Sequence, residues 1–536
     1  MSHTPVREHA TSNATRLLSA GTYLDPIYRR SVIKELMGNR FRVVAPAFGY
    51  DTVSVLAHAL AAHKLRRDQL LALAAGTVLL VVLMVTGAIG VVLGLLTLVW
   101  LVWAAAFLRR IATLRVLTKY LRPADGKGGT GGTGGFDGGY PLTRALTDDL
   151  VRKVAAEQSA DRGVVLYGGY RPFVGAGVQV HRWSNAELLV GARLGLLDEG
   201  FADPAAMPPG MLAHVAALVP EHVPEHLSGG GTAAGTDAPR RKEVIPFTVD
   251  KITGYVAARM TAELHDEAPP QERIESLTVE RRKYTTAVVT TDRPLREWEP
   301  APDASAAHWD ERYDAAREYL CVRVGSWDEE LVVSMFVGFD LKGNTLHTEF
   351  YTYVLPPLIR SFHLADRLPP RLGGRLMARV AWHVVRSAPS DLARLVLNPL
   401  RERLPRRLRR GRVLVEVDRP IDTSEFRLGR YALTTVNRGA LLSVREMATR
   451  RDFPHFFQES DTIKYTRIVE RRLLQIIRTF LAEHNVDLAD HDAQQLNILQ
   501  QHFGDNNNNS GTGNTMNTRT GGNRTSGANS PIRNGA

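Results

Sequence analysis

The spacing of hydrophobic and polar positions along this chain fails outright in one place. From Gln69 to Leu108, forty consecutive residues carry no charged side chain. A helix rising about 1.5 Å per residue would span about 60 Å over that length, roughly twice the hydrocarbon core of a bilayer. One straight helix overshoots, and two spans fit. The break falls at Thr86-Gly87-Ala88-Ile89-Gly90, where two glycines loosen a run otherwise made of Leu, Val and Ala. The pattern predicts a transmembrane hairpin, with spans at 70–86 and 91–108. A buried pair of core helices is the alternative, disfavoured because core helices usually keep a polar face.

Elsewhere helical and strand periods alternate. Residues 1–68 read as an N-terminal helical region: Asp25-Pro26 starts a helix, Gly38 closes it, and Asp51 caps another. The apolar positions Val55, Leu56, Ala59, Leu60 and Ala62 lead from Asp51 into the first span without a breaker, which predicts a stiff stalk. Residues 109–125 continue as a juxtamembrane basic helix, and the glycines of 126–139 form a flexible linker. Within 140–354, strands are expected at Gly163–Tyr167, Val178–His181, Lys283–Thr291, Tyr319–Val324, Leu331–Phe339 and Thr345–Val354. Asp340–Asn344 has hairpin chemistry, and short connections imply antiparallel pairing. An Arg-rich amphipathic segment, 355–411, follows. In 412–504 come a strand at Arg412–Val417, a capping-box pattern at Ser443 and Glu446, and a helix opened by Asp461. That helix lines up Tyr465, Ile468, Val469, Leu473, Ile476, Ile477 and Phe480. Residues 505–536 are Asn, Gly, Ser and Thr with hardly an aliphatic side chain, so they predict a disordered tail. The fold class expected is α+β: a two-span transmembrane helical hairpin on a large cytoplasmic region with a mainly antiparallel sheet and flanking helices.

Charge fixes the expected orientation. Lys64, Arg66 and Arg67 precede the first span; Arg109, Arg110, Arg115, Lys119 and Arg122 follow the second. Basic flanks stay cytoplasmic, and a hairpin returns to the side it left, so both termini are expected in the cytoplasm of a multi-pass plasma-membrane protein. The single Cys321 allows no intramolecular disulfide, in keeping with a reducing compartment, and no secretory signal is visible. Basic charge comes as 57 Arg against 10 Lys, a skew that suits GC-rich codons and a bacterial source. Between Leu355 and Arg412 there are fourteen Arg, no Lys and three acids, a net +11 that equals the formal charge of the whole chain. There Arg371, Arg375 and Arg379 step by four beside an apolar row of Leu372, Leu376, Val380 and Val384, with Trp382 near. A basic stripe beside an apolar one predicts contact with the membrane surface, anionic lipids above all. A solvated face over an ordinary core is the competing reading. Nucleic acid is disfavoured, because no recognition module accompanies the arginines.

The search for chemistry is negative. Lys127 is followed by Gly128 rather than Ser or Thr, so the linker is no P-loop. The run Gly168–Gly177 has the wrong spacing for a dinucleotide fingerprint. His214, His222 and His226 are separated by Pro220 and Pro224, which break the helix a paired ligand set requires. His347 and Glu349 alternate onto one strand face near Asp340 and could form an acid–base pair, and Cys321 sits in an apolar strand where a thiol is inert. No catalytic residue, metal or cofactor is expected. The reading is therefore a membrane protein with a cytoplasmic α+β binding or scaffolding region, its partner an unidentified protein or a second copy. The alternative is a membrane-anchored enzyme with a site assembled from 167–177 and 340–349.

Overall fold

The computed structural model describes residues 9–39, 42–123, 136–160, 163–193, 241–291, 316–369, 373–386, 417–418, 434–449, 453, 455–493, 495 and 498. Those to 488 form one compact unit, and the residues from 489 belong to a second. The linker glycines 126–135, the histidines 214–226, Arg412–Glu416 and the tail 505–536 lie outside the described residues.

The architecture is α+β with a mixed sheet and two long apolar helices in the N-terminal region. Helix α1 (Asn13–Leu24) and helix α2 (Pro26–Ile33) meet at Asp25, whose carboxylate accepts from the Ile27 and Tyr28 amides. A π-helical turn, Lys34–Gly38, ends α2. Asp51 caps α3 (Thr52–Val85) in the same way, through the Val53 and Ser54 amides. The stalk and the first apolar span form this one 34-residue helix, as expected from the absence of a breaker between them. Gly87, at φ +74°, takes the left-handed conformation that closes α3, and α4 (Val91–Tyr120) returns alongside. With α5 (Asp148–Ser159), the first helices bury Leu17, Leu18, Val32, Val53, Leu56 and Val154 in one core.

The main sheet has six strands in the order β1-β3-β5-β6-β7-β2. They are β1 (Val164–Tyr167), β2 (Val178–Leu188), β3 (Leu277–Thr286), β5 (Arg317–Ser326), β6 (Leu331–Lys342) and β7 (Thr345–Leu355). Pairing is antiparallel except for β1 against β3, which is parallel. Short connections could not show this, since β1 and β3 are separated by more than a hundred residues. The β6–β7 turn is tighter than expected: Lys342 pairs with Thr345, leaving only Gly343 and Asn344, both at positive φ. The strand read at Lys283–Thr291 is in fact two. β3 begins at Leu277 and ends at Thr286, and after Ala287 the chain enters β4 (Val288–Thr291) in a second sheet with β8 (Val417–Asp418) and β9 (Thr434–Asn437). Alternation cannot separate one long strand from two that follow without a turn. Helices α6 (Val249–Thr261) and α8 (Phe456–Glu483) pack against the main sheet. Between them in sequence, residues 374–386 form α7. α8 starts five residues before Asp461, whose carboxylate instead accepts from Trp327 Nε1 at 3.0 Å. Its buried face holds Val469, Leu473, Ile476, Ile477 and Phe480 as read, while Ile468 is 40% exposed.

Candidate functional site

The two apolar helices are long and apolar enough to cross a membrane. Their most apolar windows have mean hydropathies of 2.2 and 2.5 and are only 6% buried. Val85, Val92 and Val99 are 81%, 75% and 69% exposed, a display that soluble surfaces do not usually carry. The hydroxyls of Thr77, Thr86 and Thr97 all donate to the carbonyl four residues back, so no threonine of the stretch depends on water. The helices meet through small residues: a Cβ on Gly76 would lie 3.2 Å from Leu101, and one on Gly94 would overlap Met84.

Of the expected surface-contact residues, Arg371 lies outside the described residues, while Arg375, Arg379 and Trp382 stand exposed on α7, Trp382 at 68%. Val384, of the apolar row, is buried, and Leu376 and Val380 are half-buried.

On one face of the main sheet the segments 167–177 and 340–349 come together. Phe173, from the glycine loop, stacks on Phe336 at 4.0 Å and meets Tyr284, Tyr319, Tyr351 and Tyr353 at 5.0–5.4 Å. Glu349 accepts from the Tyr319 hydroxyl at 2.7 Å and the Tyr351 hydroxyl at 3.4 Å, and His347 Nε2 lies 3.4 Å from it. Tyr319 reaches Glu349 across Gly338, where a Cβ would lie 2.6 Å from its ring. Burial, then the Glu349 carboxylate, pushes both phenols up, so they remain protonated donors. Asp340, opposite His347 in the β6–β7 register, is held down by its hydrogen bond with Lys342 and paired to it at 3.1 Å. Burial pushes the Cys321 thiol up as well.

The glycine loop is already bound. The Gly175 and Gly177 amides both donate to Glu446 Oε1, at 3.2 and 3.1 Å. The capping-box reading found half of this. Ser443 N donates to Glu446 Oε2 at 2.7 Å and Glu446 N to Ser443 Oγ at 3.2 Å, although they open only a 3-10 turn, Glu446–Ala448. Sequence reasoning missed two further clusters. Arg445 is fully buried and donates to the Phe48 and Glu330 carbonyls at 2.8 and 2.7 Å; burial lowers its pKa to about 10. His363 lies 3.5 Å from Glu330 and 3.3 Å from Asp366, which pairs with Arg16 of α1 at 2.6 Å. Scattered single charges carry no local signal for such a cluster. Among the described residues, no group of three or more His, Cys, Asp or Glu is placed to hold a metal ion.

This is thus an α+β protein with an apolar helical pair, an arginine-bearing helix and a tyrosine–carboxylate cluster on its sheet. The chain belongs to the AbeC-like domain family, whose model matches residues 215–517, more than half of its length. The match takes in α6, β3–β9, α7 and α8, and the apolar helices precede it. No curated protein and no solved structure matches the chain.

Proposed function

We propose that this protein is anchored in the plasma membrane by α3 and α4 and holds its AbeC-like region at the cytoplasmic face, where it binds or organises partners without catalysis. The observation that carries this reading is the uncharged forty-residue stretch folded as two outward-exposed helices around a glycine break. Basic residues flank both ends, which supports a cytoplasmic location for both termini. Arg371, Arg375, Arg379 and Trp382 add contact with anionic lipids, near whose surface each cation contributes roughly 1 kcal/mol. The partner is an unidentified protein or a second copy.

Deleting Gln69–Leu108 tests the anchor: the shortened chain is expected to leave the membrane fraction. Retention in high salt would refute it. A reporter active only outside the membrane, fused at Ala536, is expected to stay silent.

The convergence of Phe173, Tyr319, Tyr351 and Glu349 favours the second reading, a membrane-anchored enzyme, by bringing its two segments together. Against it, Phe173 is packed on Phe336 and among the tyrosines, and Glu446 occupies the loop amides.

A further inference from the structure

Side chains two apart on a strand, and those opposite them in register, share one face of a sheet. On one such face β3 sets Glu280, Arg282 and Tyr284, and β5 sets Cys321 and Arg323. Both arginines are buried at 6% exposure, and their guanidinium carbons lie 5.5 and 5.2 Å from the centre of the Phe48 ring. One carboxylate serves both. The half-buried Glu280 accepts from Arg282 Nε and Nη2 at 2.9 and 2.6 Å and lies 3.7 Å from Arg323 Nη2. The next acid, Glu329, lies against Gly49 and Gly325 and acts on Arg445, the third buried arginine of the region. Arg317, opposite Tyr284, pairs instead with Asp340 at 3.7 Å. Three buried arginines thus share two carboxylates, and one positive charge is left over.

No neighbouring side chain supplies the missing charge. Burial pushes the Cys321 thiol and the Tyr284 hydroxyl up, so both stay neutral. Arg282 Nη1 and the Tyr284 hydroxyl are buried, and neither has a hydrogen-bond partner among the described residues. Cys321, Arg282, Arg323 and Glu280 act on that hydroxyl, which therefore sits among them. A buried charge without compensation and a buried donor without an acceptor are both costly.

We propose that one monovalent inorganic anion of chloride size binds between Arg282, Arg323 and Tyr284, accepting from Arg282 Nη1 and the Tyr284 hydroxyl. A halide only accepts, which is what both donors need. Water would satisfy the donors and leave the charge uncompensated. A bidentate oxyanion is disfavoured, because Glu280 already takes the other two nitrogens of Arg282. The site stands whether or not α3 and α4 are the membrane anchor.

The test is thermal unfolding of the full chain in detergent, with chloride replacing gluconate at constant ionic strength. A ligand bound only by the folded state raises the melting temperature as it saturates its site. Wild type is expected to melt higher in chloride, with a definite half-saturating concentration, and bromide is expected to act alike. Tyr284→Phe keeps the ring and removes the hydroxyl. It is expected to raise the half-saturating chloride concentration at least about tenfold, the effect of one hydrogen bond to a charged group. Arg282→Gln removes the surplus charge and is expected to abolish the response; because it also frees Glu280, its melting is compared only between the two salts. Wild-type crystals soaked in bromide are expected to show an anomalous peak beside Arg282 Nη1 and Tyr284 Oη. Equal wild-type melting in chloride and gluconate would overturn the site. So would a chloride response that both variants retain in full, or a bromide-soaked crystal with no anomalous peak at these two atoms.

Discussion

Replacing Glu446 with Ala removes one side chain that three backbone amides share. Ser443 N donates to Oε2 at 2.7 Å, and Gly175 N and Gly177 N donate to Oε1 at 3.2 and 3.1 Å. An amide left without its acceptor in a covered position costs about 1–3 kcal/mol. Glu446 is half-buried, so water can reach some of the vacated space, and the lower end of that range applies. Three donors at about 1 kcal/mol each give a loss of about 3 kcal/mol. Glu446→Gln discriminates among the contacts. Its carbonyl can still serve the two loop glycines, but its amide faces the Ser443 N–H, donor against donor, so about half the loss is expected. Thermal unfolding in detergent, followed by fluorescence, should order the proteins as wild type, Gln, Ala. The Ala variant should melt about 3 °C lower. Hydrogen exchange at Gly175 and Gly177 gives the local readout: protection should fall in the Ala variant and persist in the Gln variant. If both amides keep wild-type protection in Glu446→Ala, Glu446 does not hold the loop and the reasoning fails.

Three other perturbations test separate parts of the fold. Trp327, Asp328 and Glu329 stand in succession at φ 56°, 53° and 65°, a conformation costing non-glycine residues about 1 kcal/mol each, so Asp328→Gly should raise the melting temperature; a fall would show that the aspartate side chain matters more than the backbone. His363 is held above its ordinary 6.5 by the Asp366 hydrogen bond, so its stabilising contribution is complete below 6.5 and lost as pH rises through the raised value. Burial pushes Asp366 up but His363 and Arg16 outweigh it, leaving the carboxyl below 3.8 and ionised throughout that window. Unfolding between about pH 6 and about pH 8.5 should therefore show a loss of stability that His363→Gln abolishes, and equal slopes would discard the cluster. Gly94→Leu would drive a side chain into Met84 and part the two apolar helices, so a G76C/L101C pair that crosslinks readily should crosslink at least about fivefold less in that background; an unchanged yield would reject the small-residue contact.

The sequence by itself determined whatever is written within one or two helical turns. The uncharged run and its Gly87 break fixed α3 and α4, because absence of charge over forty residues is a local property needing no partner. Asp25 and Asp51 marked helix starts for the same reason, each side chain bonding amides two and three residues on. The Asp340–Asn344 stretch marked the β6–β7 hairpin by its local turn chemistry, while the two-residue turn and the register it sets came only from the structure. Tertiary structure decided everything that joins distant stretches. The parallel β1–β3 pairing, the exit of β4 into a second sheet and the early start of α8 depend on neighbours far off in the chain. The same holds for the sheet-face cluster. Phe173 read as part of a glycine loop and Glu446 as half of a capping box, and neither pattern contains the other. Only folding sets the loop amides against that carboxylate and the ring among the tyrosines, because burial brings them together from opposite ends of the chain.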